Sequence, residues 1–213
     1  MHDNASYMLS AMTSGPIPPR RATPAVRERL LDAADSFFFV EGVLATPIDR
    51  MLKAAEASPP SLYKHFGSKD GLITAALRRR LDIWSRVWQE QVDATPDARG
   101  RVLSVYPAMR RYQREYLPEK WCAFSGTRAA LSVRSPALQA VLDDETDLLR
   151  SQHAALVAEL GLGEAAAVRL TRQLVVVYNG LLAQMLRDPY DEAIDESEAT
   201  AAALVDLALR GSA

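Results

Sequence analysis

The segment SPPSLYKHFGSK, residues 58–69, brings hydroxyls, a phenol, an imidazole and two ammonium groups into twelve positions. Ser58, Ser61, Lys64 and His65 form a small polar and basic set, and Tyr63 and Lys69 add a phenolic hydroxyl and a further cation. Such groups donate to phosphate oxygens and to base edges. The whole chain has one cysteine, Cys122, and three histidines. It has no HExxH pair, no GxxxxGK phosphate loop and no GxSxG elbow, and GSKDG at 67–71 lacks the glycine spacing of a phosphate loop. An enzyme is therefore the weaker reading, and no metal and no cofactor is expected.

The elements that must position these groups read as helices throughout. Residues 1–24, rich in Ser, Pro, Met and Ala, show no periodicity and are expected to form a disordered arm ending in Arg20 and Arg21. Leu30, Ala33, Ala34, Phe37 and Phe38 follow helical spacing, and Gly42 is placed to stop that helix. Thr46 is the expected N-cap of the next helix, with Pro47 at its first position. The consecutive prolines then make sense as a helix start. Ser58 caps, Pro59 and Pro60 occupy the first turn where no internal donor is needed, and SLYKHF continues. A long helix capped by Ser68 follows, then one from Thr95-Pro96 to about Tyr116, one across WCAFSGTRAALSV, and one opened by Ser135-Pro136. Two more close the chain.

The net charge of −2 conceals an asymmetry. Residues 20–80 carry eleven basic against seven acidic side chains, whereas 81–213 carry fourteen against nineteen. A basic front on an acidic chain suits a local polyanion contact. No apolar run approaches the roughly 18 residues needed to span a bilayer, so no membrane partner is expected. The first 20 residues lack the charged start and apolar core of a secretory signal, so the cytoplasm is the expected compartment.

Three helices in 25–66, the last two joined by a tight turn near Ala55-Glu56-Ala57, fit a helix-turn-helix unit. Leu62 and Phe66 would anchor its second helix from behind. Residues 27–77 resemble the N-terminal domain of TetR-family transcriptional regulators. The resemblance rests on RERLLDAADSFFFVEG and on the spacing of Leu62, Tyr63, Phe66, Ser68, Lys69 and Leu72. It implies an all-α chain with an N-terminal three-helix DNA-binding domain at 25–69 and a larger helical ligand-binding and dimerisation domain at 70–213. It implies phosphate contacts from Thr46 and Tyr63, helped by His65 and Lys69, and base-edge contacts from Ser61 and Lys64. Pro59 or Pro60 would pack on a thymine methyl, and Arg20 and Arg21 would reach into the adjacent minor groove. Two departures stand out. Glu56 occupies a turn position where the family usually has glycine, and the prolines remove two backbone donors from the end facing DNA.

In the larger part, aromatic residues cluster on long helices that can enclose a cavity for a small-molecule effector. Trp84, Trp88, Tyr106 and Tyr112 lie in its first half, and Trp121, Phe124 and Tyr178 follow, with Met109 beside them. For each aromatic residue, plain core packing is the competing reading. Arg110, Gln113 and Arg128 are the polar candidates to orient a ligand, with His153, which reads more readily as a surface or satisfied histidine than as a ligand contact. LTRQLVVVYNGLLAQML is apolar around most of its circumference and ATAAALVDLAL offers small residues, which together suit a homodimer through the last two helices. The reading is a regulator, most simply a repressor, released from a double-stranded DNA operator by its effector. A TetR-like ligand-binding or adaptor protein with weakened or lost DNA affinity is the alternative, motivated by Glu56 and the double proline.

Overall fold

The computed structural model describes residues 24–116 and 121–211, and among them every regular element is a helix. The front unit comprises α1 (Val26–Phe38), α2 (Ile48–Ala54) and α3 (Pro59–Phe66), packed on the first half of α4 (Lys69–Asp93). Behind them lie α5 (Ala98–Leu103), α6 (Val105–Glu115), α7 (Ala123–Ala130) and α8 (Pro136–Ala158), closed by α9 (Glu164–Gln184) and α10 (Tyr190–Arg210). Arg20 and Arg21, with the rest of the expected arm up to residue 23, lie outside the described residues. None of the described helices is long and apolar enough to cross a membrane.

Local chemistry sets most of the helix boundaries. Ser68 accepts from the Gly71 N–H at 2.9 Å, and Ser135 from the Leu138 N–H at 3.2 Å, as side-chain caps do. Gly67 and Gly161 stand at positive φ, 73° and 67°, just past the ends of α3 and α8. Ser58 is the N-cap residue of α3, but its hydroxyl makes no capping bond. Pro60 has no N–H to offer it, and the Ser61 N–H goes to the Ser58 carbonyl at 3.0 Å. The Ser58 hydroxyl instead meets that of Ser61 at 3.0 Å.

Three boundaries differ from the sequence reading. Pro47, not Thr46, is the N-cap of α2. Asp97, not Thr95, caps the helix after α4, accepting from the Gly100 N–H at 2.8 Å, while the Thr95 hydroxyl donates back to Gln91. The single helix expected from there to Tyr116 is two, α5 and α6, meeting at Ser104. Pro107 lacks the N–H that would have bonded the Leu103 carbonyl, so the ladder breaks there, and Trp88 donates to the Ser104 hydroxyl at 3.2 Å across the join.

Two apolar cores result, and α4 belongs to both. Its 25 residues span about 37 Å at 1.5 Å per residue. Leu72, Ala76 and Leu77 pack with Leu30, Phe38 and Leu62 in the front core. Trp84, Val87 and Trp88 pack with α6, α8, α9 and α10 in the rear one. The front core also takes in Ala123 and Phe124 of α7 and Leu138, Val141 and Leu142 of α8. The two ends of the molecule therefore share a rigid helix and part of one core.

Candidate nucleic-acid interface and buried cavity

The turn between α2 and α3 is held from behind by one side chain. Arg29 donates through Nε to the Ala55 carbonyl at 2.9 Å and through a terminal nitrogen to the Glu56 carbonyl at 3.0 Å; its other terminal nitrogen reaches Pro24 at 2.8 Å. Glu56 takes φ of 48°, among the described residues the one non-glycine position with positive φ. The turn is thus built as a glycine would build it, with a carboxylate on its exposed side.

From this turn α3 projects with Leu62 buried at 2 % exposure and Tyr63 at 63 %. Lys64 and His65 are exposed, Ser61 is half-buried, and Phe66 lies inward beneath the Arg27 guanidinium, 5.5 Å from its ring centre. Pro59 and Pro60 form the exposed tip. Because both lack an N–H and Ser61 spends its own on Ser58, the helix start offers side chains rather than backbone donors to an anion.

Thr46 and Lys69 point elsewhere. Thr46 is 2 % exposed, with its hydroxyl 3.1 Å from the Phe37 carbonyl and 3.0 Å from that of Gly42. Lys69 donates to the Val43 and Thr46 carbonyls at 3.0 and 3.1 Å, and its ammonium stands over the Phe38 ring at 5.2 Å. Burial lowers its pKa. The loop after α1 has carbonyls without helical partners, and these two side chains satisfy them. This corrects the expected direct phosphate contacts: the Thr46 hydroxyl is engaged within the loop, and Lys69 has two of its three N–H bonds committed.

Behind the front core lies a cavity of about 40 Å³, walled by α4, α6, α7, α8 and α9. Trp84 is central, with its ring 5.4 Å from Tyr112 in an edge-on pose and 6.2 Å from Tyr178. Met109, Gln113, Trp121 and Phe124 complete the wall, together with Glu145 and Cys122. The Trp121 indole donates to the Phe39 carbonyl at the end of α1, and its ring lies over Gly126, where a Cβ would come within 1.8 Å of it. Burial pushes the Cys122 thiol up. A second, more open groove of about 640 Å³ shares Trp121, Cys122 and Leu182 with the cavity and runs to the loop at Gly42–Ala45.

A sequence model described as bacterial regulatory proteins, tetR family, matches residues 30–76, the segment from α1 into α4. A transcriptional regulator called BetI, of helix-turn-helix type, from Paraburkholderia phymatum is 28 % identical over 170 residues, covering 78 % of this chain and 84 % of that one. The crystal structure of a TetR-family transcriptional regulator from Streptomyces coelicolor superposes with a TM-score of 0.74 at 26 % identity, covering 89 % of this chain and 91 % of the other. The sequence match and the fold together support a TetR-family transcriptional regulator of helix-turn-helix type, and regulators of that family bind DNA operators and typically dimerise.

Around the cavity, the aromatic residues divide by depth. Trp84, Met109, Gln113, Trp121, Phe124 and Tyr178 line the cavity. Trp88 and Tyr106, each 1 % exposed, pack behind it as core, Trp88 against the ring of His153 at 5.1 Å. The Nδ1 of that buried histidine meets the Leu149 carbonyl at 2.8 Å. Arg128 turns away, donating to the Leu142 carbonyl at 2.8 Å and pairing with Asp143. Arg110 is spent on Asp195 and Glu198 of α10. The two arginine corrections share one cause: a half-buried guanidinium bonds the nearest carboxylates and free carbonyls. Tyr112, named among the clustered aromatic residues, is also in the wall, whereas sequence reasoning missed Arg80 and Glu145 there. Glu145, on a helix with acidic neighbours, carries no local signal.

Proposed function

We propose that this chain acts as a homodimeric repressor whose α3 helices enter successive major grooves of a double-stranded DNA operator, with a small molecule in the cavity releasing it. The proposed DNA-binding unit is 25–69 and the proposed effector and dimer unit 70–213. Tyr63 and His65 would reach phosphates, with the third N–H of Lys69 in support; Ser58, Ser61 and Lys64 would meet base edges, and Pro59 a thymine methyl. The observation that carries the release mechanism is the shared wall. Phe124 belongs to the front core and also lines the cavity. A ligand that moves it alters the surface on which α1 and α4 rest, and with it the separation of the two α3 helices from about 34 Å. Dimerisation is supported by apolar side chains left exposed on the last two helices, Val176 at 69 % and Leu207 at 62 %.

Fluorescence anisotropy with DNA fragments flanking the gene, at several salt concentrations, tests the reading. The expected result is saturable binding that weakens steeply as salt rises. A ligand-binding protein without DNA affinity, the reading that the Glu56 carboxylate and missing N–H groups favour, would give no saturable binding to any such fragment.

A further inference from the structure

The cavity wall combines aromatic faces with a carboxylate. Trp84, Tyr112 and Tyr178 form one aromatic group, and Trp121 and Phe124 contribute two more rings. Ring faces carry partial negative charge and attract cations. Glu145, from α8, lines the same space. Its carboxylate accepts a long bond from the Thr146 hydroxyl at 3.4 Å and has no cation within ion-pair distance among the described residues. Arg128, the cation whose field it feels, is turned to Asp143 and the Leu142 carbonyl. Arg80, the other charged group in the wall, is paired with Asp35 at 2.6 Å and lies over the Phe39 ring at 4.5 Å. The charge offered to a ligand is therefore that of Glu145, and the rings favour the same ligand sign. Burial holds the carboxyl above the usual carboxylate range, a cost that an arriving cation would relieve.

We propose that the cavity takes an organic monocation, with a substituted ammonium group held among the aromatic rings and against Glu145, and that this cation is the effector. The inference rests on reading the cavity as the effector site. At about 40 Å³ the space holds a few waters and no organic molecule, so binding must part its walls. The neighbouring groove across Trp121 and Leu182 gives the wall room to move and a place for the ligand's apolar tail. Displacing Trp121 breaks its bond to the Phe39 carbonyl, which hands the ligand's arrival to the end of α1. An anionic ligand would meet the Glu145 charge, and a neutral one would leave it unanswered.

Calorimetric titration of the full-length dimer with meta-hydroxyphenyltrimethylammonium and with its neutral isostere, meta-tert-butylphenol, tests the charge preference. The cation is expected to bind about tenfold more tightly than the isostere, a difference of about 1.4 kcal/mol. Glu145→Gln should cut that preference to the smaller part that the rings alone supply, with an unchanged melting temperature as the check on folding. Equal affinities in the unaltered protein, no binding of either compound, or a preference undiminished in Glu145→Gln would each overturn the proposal. The unaltered-protein comparison stands without the variant. Operator binding is measured on the same preparation before ligand is added. Protein that binds DNA yet shows no cation preference overturns this inference alone, whereas a cation preference without DNA binding upholds the site and overturns the regulator reading. Release of DNA by the cation and not by the isostere is expected; binding without release would overturn its role as effector.

Discussion

Glu56 carries two opposed consequences in one side chain. Its backbone sits at φ 48°, a left-handed position that costs an ordinary residue about 1 to 2 kcal/mol relative to the right-handed form. Arg29 offsets part of that cost by bonding both carbonyls of the turn. Its carboxylate meanwhile stands exposed beside the start of α3. Glu56→Gly should therefore raise stability by about 1 kcal/mol in urea denaturation, because glycine adopts this conformation without a Cβ clash. Glu56→Gln removes only the charge. It should tighten DNA binding at low salt and leave the urea midpoint where it was. If both variants match the parent in stability, the turn holds no strain for glycine to relieve.

Helix α7 shows how an element can depend on one missing methyl group. Gly126 stands in the middle of a short helix, where glycine is normally unfavourable by about 1 kcal/mol relative to alanine. Here the Trp121 ring covers the spot a Cβ would occupy, 1.8 Å from the nearest ring carbon. Gly126→Ala should thus destabilise the protein by about 1 to 3 kcal/mol despite the better helix former. It should also expel Trp121 from between the cavity and α1, seen as a red shift of tryptophan emission. A variant that melts at or above the parent temperature would mean that the ring is free to move aside.

The whole molecule is two cores joined by α4, and the proposed dimer contact lies on α9 and α10. Val176 and Leu207 are exposed in the monomer, so charging them leaves the monomer core intact. Val176→Asp should convert the dimer to a folded monomer in analytical ultracentrifugation and weaken operator binding at least about tenfold, since each half-site then binds alone. A variant that sediments as a dimer would move the interface off this face.

Across these scales, the parts of the protein legible in its sequence are those governed by local rules. The caps Ser68 and Ser135 and the prolines opening α3 mark helix starts because each acts on backbone groups within four residues. The TetR-family resemblance is legible for the same reason, since the spacing from Leu62 to Leu72 lies within two consecutive helices. The failure at Ser104 was also local, a proline read past rather than a signal absent. What only the tertiary structure decided is where long side chains spend their hydrogen bonds. Lys69 reaches carbonyls 23 and 26 residues away, and Arg29 reaches the turn 26 and 27 residues ahead. Glu145, Tyr112 and Trp84 become neighbours only because α8, α6 and α4 cross there. The composition of a cavity is a property of crossing helices, and helical spacing along a single segment does not contain it.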